Sequence, residues 1–98
     1  MIDLSKLTGF EWDKGNLDKS YKKHSVTQGE AEELFIDPDV LLLDDAKHSQ
    51  KEERSIAIGK TTNRKIPFTV YTVRKDKIRI ISARTANKKE RRRYEKTT

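Results

Sequence analysis

Two alternating stretches joined by a tight turn constrain the fold of this chain more than any other feature. Residues 66–74 alternate so that Phe68 lies on one face of an extended strand and Tyr71 on the opposite face. Residues 74–77 form a short polar turn, and residues 77–81 continue as a second strand. A side-chain period of two and so short a connection predict an antiparallel hairpin.

The second of these strands presents an arginine on a defined face. Alternation places Arg79 and Ile81 opposite Ile78 and Ile80, and the strand leaves the sheet close to Arg84. An arginine fixed on a sheet, with a second at the end of the sheet, can meet a phosphate group in a defined geometry. We therefore treat Arg79 and Arg84 as candidate functional residues.

Three further runs predict the rest of the sheet. A short first strand is expected at residues 9–12, an apolar strand at 40–43, and an alternating strand at 54–60 whose Ile56 and Ile58 point inward. Because short turns join most of the consecutive strands, we expect an antiparallel sheet.

Helix signals lie on both sides of these strands. Asp13 can cap a helix over residues 14–24, and Thr27–Glu30 is a capping box for a second helix that ends before Pro38. A second capping box, Asn87–Glu90, opens a C-terminal helix. The predicted fold is α+β, in the order β-α-α-β-β-β-β-α, with the two early helices on one face of a small antiparallel sheet. The other face is left as a working surface.

The composition indicates one domain with a small core. The chain has 98 residues, 33% hydrophobic and 39% charged, so we expect residues 1–98 to form a single domain with a heavily charged surface. The chain has no cysteine, which excludes disulfides and thiolate metal sites. No apolar run approaches the roughly 20 residues of a membrane span, and no secretory signal is evident, so we expect a cytoplasmic protein without a membrane partner.

Charge is divided unevenly along the chain. Residues 1–53 carry 7 Lys and Arg against 13 Asp and Glu, a net charge of −6, whereas residues 54–98 carry 15 against 3, a net charge of +12. A folded domain built from such halves attracts polyanions to its C-terminal half. The alternative is that the two halves interleave in the fold and the field averages out.

The final helix is nearly polar all round. Its cations include Lys88, Arg91 and Arg92, and its only apolar side chains are Ala86 and Tyr94. Without an apolar stripe, such a helix is either solvated or docked on nucleic acid or on an acidic partner. We predict RNA binding by these three cations, although cations late in a helix also suit its dipole.

Two histidines are candidates for different roles. His24 lies on the apolar stripe of the first predicted helix, where packing is a simpler role than catalysis. His48 lies in a polar loop shortly before Glu53 and Arg54, and it is either an acid or base near neutral pH or a solvated residue. The spacing of the histidines brings no three metal ligands together, so neither a metal nor a cofactor is predicted.

These polar residues include the groups that RNA cleavage requires. A base removes the proton of the 2′-hydroxyl, cations stabilise the charge on phosphorus, and an acid protonates the leaving oxygen. A small basic sheet with Arg79, Arg84, Glu53, His48 and a tyrosine holds them all, as do many proteins that are not enzymes. The spacing alone permits this chemistry without specifying it.

Four segments, in the same order along nearly the whole chain, resemble the BrnT-type ribonuclease toxins of type II toxin–antitoxin modules. They are Phe10–Val26, Glu30–Leu41, His48–Arg54 and Arg79–Glu95. The most specific part is Ile-Ser-Ala-Arg followed by a basic helix that contains Glu-Arg-x-x-Tyr-Glu. The opening pattern Trp-Asp … Lys-His, which begins at Trp12, is specific for the family when it occurs together with this C-terminal motif. The chain departs from the family in having Ser25 where glycine is usual.

The resemblance implies a RelE-like fold, RNA cleavage without a metal, inhibition of translation, and a complex with a BrnA-like ribbon-helix-helix antitoxin that can bind operator DNA. The polar positions that it carries onto this chain are His24, His48, Glu53, Arg54, Arg79, Arg84 and Tyr94. Among these, the cations are Arg54, Arg79 and Arg84, and the acid or base is Glu53 or His48.

Two other functions stay open at the level of sequence. A basic nucleic-acid-binding or regulatory subunit without catalysis fits the charge of the C-terminal half. A surface that holds an acidic segment of an antitoxin fits it too, and is compatible with the toxin because a bound partner also blocks RNA. The absence of a clear recognition-helix pattern argues against the first of these.

Overall fold

One five-stranded sheet organises the computed structural model, which describes residues 9–12, 26–45 and 53–96. Its strands are β1 (Gly9–Trp12), β2 (Leu41–Asp44), β3 (Ser55–Ile58), β4 (Pro67–Arg74) and β5 (Lys77–Thr85). The described helices are α1 (Gln28–Glu33), a 3-10 helix (Leu34–Ile36) and α2 (Lys88–Glu95). The strands lie in the order β1-β5-β4-β3-β2, so β1 and β2 form the two edges. All predicted strands are present, with ends that differ by a few residues at most.

The predicted hairpin is confirmed as the antiparallel pair of β4 and β5. Arg74 pairs with Lys77 across the turn, and Lys75 takes the left-handed conformation there with φ of 56°. A positive φ at this position matches the twist of the two strands.

An extra residue in β5 changes its alternation halfway along. Thr72 pairs with Arg79, but beyond a bulge at Ile81 it is Phe68 that pairs with Arg84. Thr72 and Phe68 are four residues apart in β4 and share a face. Arg79 and Arg84 therefore also share a face. They are five residues apart in sequence, so a strand without the bulge would place them on opposite faces.

The expected fully antiparallel sheet is wrong at one edge. β1 runs parallel to β5, with Phe10 beside Ile78 and Trp12 beside Ile80. The antiparallel expectation depended on short turns between neighbours, and no such turn joins β1 to β5. A parallel neighbour requires a crossover connection instead, and here the rest of the sheet separates the two strands in sequence.

The capping box that opens α1 is confirmed. The Thr27 hydroxyl accepts a hydrogen bond from the Glu30 amide at 3.1 Å, and the Glu30 carboxylate accepts one from the Thr27 amide at 2.9 Å. The helical segment ends with the 3-10 turn just before Asp37 and Pro38, as predicted. The described residues show one α-helix between β1 and β2, and the helix predicted for residues 14–24 lies outside them.

One face of the sheet, which we call the core face, is sealed by α1 and the 3-10 helix. Its buried side chains pack with those of the helical segment in one cluster: Val26, Ala31, Leu34, Phe35, Ala57, Tyr71, Ile78, Ile80 and Ala83. The fit is tight at Gly59, where a β-carbon would lie 2.8 Å from the Leu34 carbonyl oxygen. The core face therefore packs against the helical segment.

The C-terminal helix is anchored more firmly than the sequence indicated. Tyr94 is only 5% exposed, and it packs with Ala86, Ile58 and Ile66 in a second buried cluster. The helix has no apolar stripe, as predicted, but a single large aromatic side chain anchors it and the sequence pattern did not indicate this contact. Ile56 and Ile58 point toward this side of the sheet, whereas Ala57 between them faces the core face.

The acidic N-terminal half of the chain contributes only the two edge strands of the sheet. β1 and β2 come from the acidic half and lie at opposite edges, whereas β3, β4 and β5 come from the basic half and fill the centre. The C-terminal helix also belongs to the basic half. The central strands therefore carry the positive side chains that matter for a polyanion.

Candidate functional site

The face opposite the core face, which we call the arginine face, is defined by the β5 residues Arg79, Ser82 and Arg84. Each pairs with a β4 residue of the same face, and Arg84 lies beside Phe68. The bulge at Ile81 produces this grouping, since it brings residues on both sides of it to one surface.

A groove of about 320 Å³ lies on this face. Its lining residues are Asp45, Arg54, Ile56, Phe68, Val70, Ile81, Ser82 and Arg84. The floor is apolar, and two arginines and a hydroxyl stand around it with one carboxylate. A concave site with few, convergent polar groups is the usual form of a ligand site.

Arg84 is held in place from two sides. Its guanidinium carbon lies 4.0 Å from the centroid of the Phe68 ring, a cation–π contact. Its Nη1 and Nη2 donate to the two carboxylate oxygens of Glu90 at 2.7 and 2.8 Å. These hydrogen bonds raise the pKa of Arg84 and lower the pKa of Glu90, so both groups are charged at neutral pH. Arg84 is thus a fixed cation.

Arg79 shares the face but not the groove. It is half-buried, lies between Thr72 and Glu11 in the sheet, and makes no hydrogen bond or ion pair with a described residue. The neighbouring pair of Lys77 and Glu11 is loose, at 4.0 Å. Arg79 is therefore a second cation of the arginine face, four β4 positions away from the held one.

Two of the other predicted residues, Glu53 and Arg54, directly precede the start of β3. The Arg54 carbonyl accepts a hydrogen bond from the Asp45 amide at 2.9 Å, and the Glu53 carbonyl accepts one from the Thr72 hydroxyl at 2.7 Å. These bonds fix the backbone of both residues. The Arg54 side chain lines the groove, whereas Glu53 is exposed outside its lining.

Tyr94 lies elsewhere. Its hydroxyl donates to the Asp37 carboxylate at 2.5 Å, and it borders a different pocket of about 330 Å³ beside Lys60. Burial and the bond to Asp37 raise the pKa of Tyr94, so its hydroxyl keeps its proton at neutral pH. The structure does not bring Tyr94 together with the groove arginines.

The described ones among the remaining predicted residues lie outside the groove lining. Lys88, Arg91 and Arg92 are exposed on the C-terminal helix. The indole N–H of Trp12 donates to the Glu32 carboxylate at 3.0 Å, which ties β1 to α1. His24 and His48 lie outside the described residues.

Sequence reasoning missed two residues that shape the site. Ser82 lines the groove, and Glu90 holds Arg84, although Glu90 was identified only as part of a capping box. The spacing of six between Arg84 and Glu90 is not a helical spacing, so only the corner between β5 and the helix brings them together. Ser82 had no signal because its face depends on the bulge.

Within the described ranges, no three His, Asp or Glu side chains are grouped closely enough to hold a metal ion. No described helix has both the length and the apolar content to cross a membrane.

A comparison with family models places the chain among known proteins. Residues 12–90 match the model described as a ribonuclease toxin, BrnT, of type II toxin–antitoxin systems. The match covers most of the 98 residues and includes the whole groove lining. The comparison with curated proteins gives no match.

Proposed function

We propose, since the chain belongs to the BrnT family of ribonuclease toxins of type II toxin–antitoxin systems, that it cleaves RNA at the groove on the arginine face. The observation that carries this proposal is the groove on the arginine face, which both Arg54 and Arg84 line, with Arg79 on the same face through the pairing of β5 with β4. RNA cleavage requires positive charge around one phosphate, and these strands supply it from fixed backbone.

The proposed reaction is an internal transfer at phosphorus. The 2′-oxygen loses its proton to a base and bonds to phosphorus, while the bond to the 5′-oxygen breaks and that oxygen receives a proton. Arg54 and Arg84 stabilise the charge that develops on the phosphoryl oxygens. Arg79 neutralises a neighbouring phosphate on the same strand of RNA.

Proton transfer is assigned to Glu53 and His48, the two predicted residues at and before the start of β3. A carboxylate and an imidazole can supply the base and the acid that the reaction needs. The pH dependence of the rate in Glu53→Gln and in His48→Asn identifies the two roles, because each variant loses the limb of the profile that its group produces. An unchanged profile removes that residue from the site.

RNA cleavage by a toxin of this type blocks translation, and we propose a cytoplasmic protein held inactive by an antitoxin. A BrnA-like ribbon-helix-helix antitoxin is the expected partner, with operator binding through the antitoxin. A partner seated on the arginine face excludes RNA from the groove, so one contact is sufficient for inhibition. Co-purification with a small partner that restores cell growth is the corresponding observation.

The test uses partner-free protein, an RNA substrate and EDTA. We expect the wild type to cleave RNA in EDTA, because the proposed cations are arginines. Arg84→Gln is expected to lose activity by about 10²–10³-fold, the typical effect of removing one group that stabilises the transition state. Arg64→Gln is the matched control, since Arg64 is an exposed arginine in the turn between β3 and β4.

The outcomes are distinct. Intact RNA from a folded wild type contradicts the proposal, and salt-sensitive binding without cleavage then favours the non-catalytic nucleic-acid-binding subunit. Equal activity in Arg84→Gln and Arg64→Gln removes Arg84 from the site. A complete loss of activity in EDTA that added metal restores shows that the reaction needs a metal.

A further inference from the structure

One carboxylate connects the groove to the start of the C-terminal helix. Glu90 Oε1 accepts from Arg84 Nη1 at 2.7 Å and also from the Asn87 amide at 2.9 Å, and Oε2 accepts from Arg84 Nη2 at 2.8 Å. The same side chain therefore caps α2 and binds the guanidinium that lines the groove. A residue needed only for the cap requires only the contact with Asn87.

The geometry of Arg84 shows which part of it is left for a ligand. A guanidinium has five N–H donors in a planar fork. Glu90 takes one donor from each terminal nitrogen, and the Thr85 carbonyl takes another from Nη1 at 3.3 Å. The N–H of Nε and the second N–H of Nη2 lie parallel on one edge, and they make no hydrogen bond with any described residue.

A parallel pair of N–H donors matches two oxygens of a phosphate. Phe68 supports the plane of the guanidinium at 4.0 Å, so the plane is fixed by the ring and the rotation within the plane is fixed by Glu90. In an arginine without such contacts, the side chain has to be ordered when the ligand binds, which costs free energy.

We propose that Glu90 is a positioning residue for RNA cleavage, which holds Arg84 so that its Nε and Nη2 edge receives the reacting phosphate. This inference rests on the proposed function. Glu90 touches neither the RNA nor the reacting atoms, and its effect passes through Arg84.

Two opposite effects separate positioning from a purely structural role. Glu90 adds negative charge close to the phosphate, so its removal strengthens the attraction for RNA at low salt and offsets the cost of ordering Arg84 on binding. Removal also leaves Arg84 free to turn, so the rate of the bound state falls. A purely structural defect weakens binding and rate together.

Glu90→Gln isolates the two functions of the carboxylate, because glutamine at this position also completes a capping box. We expect kcat to fall by at least about tenfold, with KM unchanged or lower. In an Arg84→Gln background, Glu90→Gln is expected to cause no further loss, because the residue acts through Arg84. Asn87→Ala is the control: it removes the bond from the Glu90 amide at 2.8 Å, lowers the melting temperature and leaves kcat unchanged.

A measurement independent of cleavage completes the test. The side-chain Nε–H resonance of Arg84 is followed by NMR while a non-cleavable oligonucleotide with a 2′-deoxy step is added. We expect a large shift in the wild type and a reduced one in Glu90→Gln. If the wild type fails to cleave RNA, the proposed function is contradicted, but this result still shows that Glu90 orients Arg84 toward a phosphate.

Three results overturn the inference. One is wild-type kcat in folded Glu90→Gln, and another is a loss in Glu90→Gln that persists in full in the Arg84→Gln background. The third is an Arg84 Nε–H resonance that shifts equally in the wild type and in Glu90→Gln.

Discussion

The two faces of the sheet differ in what holds their side chains. On the core face, Ile80 and Tyr71 are almost completely buried under α1, and Phe35 packs edge-on against Tyr71 with ring centroids 5.0 Å apart. On the arginine face, Arg84 is held instead by one ring and one carboxylate. One face is fixed by apolar burial and the other by directed polar contacts, although both come from the same strands.

The difference shows that one strand of a small domain can place residues that stabilise the fold and residues of the candidate site on opposite faces. Ile80 and Arg84 are four positions apart in β5, and regular alternation would place them on the same face. The bulge at Ile81 separates them, so Ile80 stays in the core and Arg84 reaches the groove. The one extra residue thus puts Arg84 on the same face as Arg79, where regular alternation over five positions would put them on opposite faces.

The largest expected effect tests the core face. Ile80→Ala removes a side chain that is 0% exposed, and we expect it to lower the free energy of unfolding by about 2–5 kcal/mol because it leaves a cavity. The rate of RNA cleavage per folded molecule should stay at the wild-type value. Denaturant unfolding and an activity assay on the folded fraction check both parts.

The control for this change is Ile36→Ala, since Ile36 is 79% exposed and should tolerate truncation with little loss. A specific loss of cleavage in folded Ile80→Ala would show that the faces are not separate in function.

Acid is expected to lower the free energy of unfolding by about 3 kcal/mol through Glu30, the carboxylate of the capping box that opens α1. Burial alone raises the pKa of Glu30, but hydrogen bonds from Asn63, Thr27 and Lys65 outweigh it and lower the pKa from 4.5 to about 2. A carboxylate with a depressed pKa in the folded state stabilises fully above pH 4.5, and this stabilisation is lost as the pH falls toward 2.

Glu30→Gln provides the comparison, because glutamine keeps the capping box with Thr27 and does not titrate. The wild type should exceed the variant in unfolding free energy at pH 7, and the difference should vanish near pH 2. A difference that is independent of pH contradicts the assignment of the stabilisation to the charged form.

A smaller effect is expected from Tyr94→Phe. This change removes the hydroxyl bonded to Asp37, which keeps its bonds from the Lys60 amide at 2.8 Å and the Asp39 amide at 3.0 Å. We expect a loss of about 1–2 kcal/mol in the free energy of unfolding and unchanged cleavage. Loss of cleavage in a folded Tyr94→Phe protein would instead support the catalytic role that the family resemblance implies.

The smallest effect is expected from the exposed cations of α2. Lys88→Gln and Arg92→Gln each remove at most one phosphate contact, so each should weaken RNA binding by less than about tenfold and reduce the salt slope by about 0.7. Binding measured at several salt concentrations checks this. A change in kcat from either variant would extend the site beyond the groove.

Local signals predicted much of this structure. The hairpin of β4 and β5 and both capping boxes are confirmed, because turn chemistry and capping depend on residues close in sequence. The parallel pairing of β1 was not predictable in the same way, since it joins residues nearly 70 positions apart without a connecting turn.

The candidate site was predicted in its residue types more than in its arrangement. Arg54 and Arg84 are predicted from sequence, but their common groove depends on the bulge, which no glycine marks. The separation of Tyr94 from the groove depends on its bond to Asp37, 57 positions away. Contacts of that range are set by the packed fold and not by local pattern.

The most direct test of the separation between the two faces is a methyl NMR titration with isotope-labelled isoleucine. Ile56 and Ile81 line the groove, whereas Ile78 and Ile80 are buried on the core face. Addition of a non-cleavable oligonucleotide is expected to shift the methyl resonances of Ile56 and Ile81 and to leave those of Ile78 and Ile80 in place. Shifts confined to Ile36, or equal shifts on both faces, would contradict binding of RNA in the groove of the arginine face.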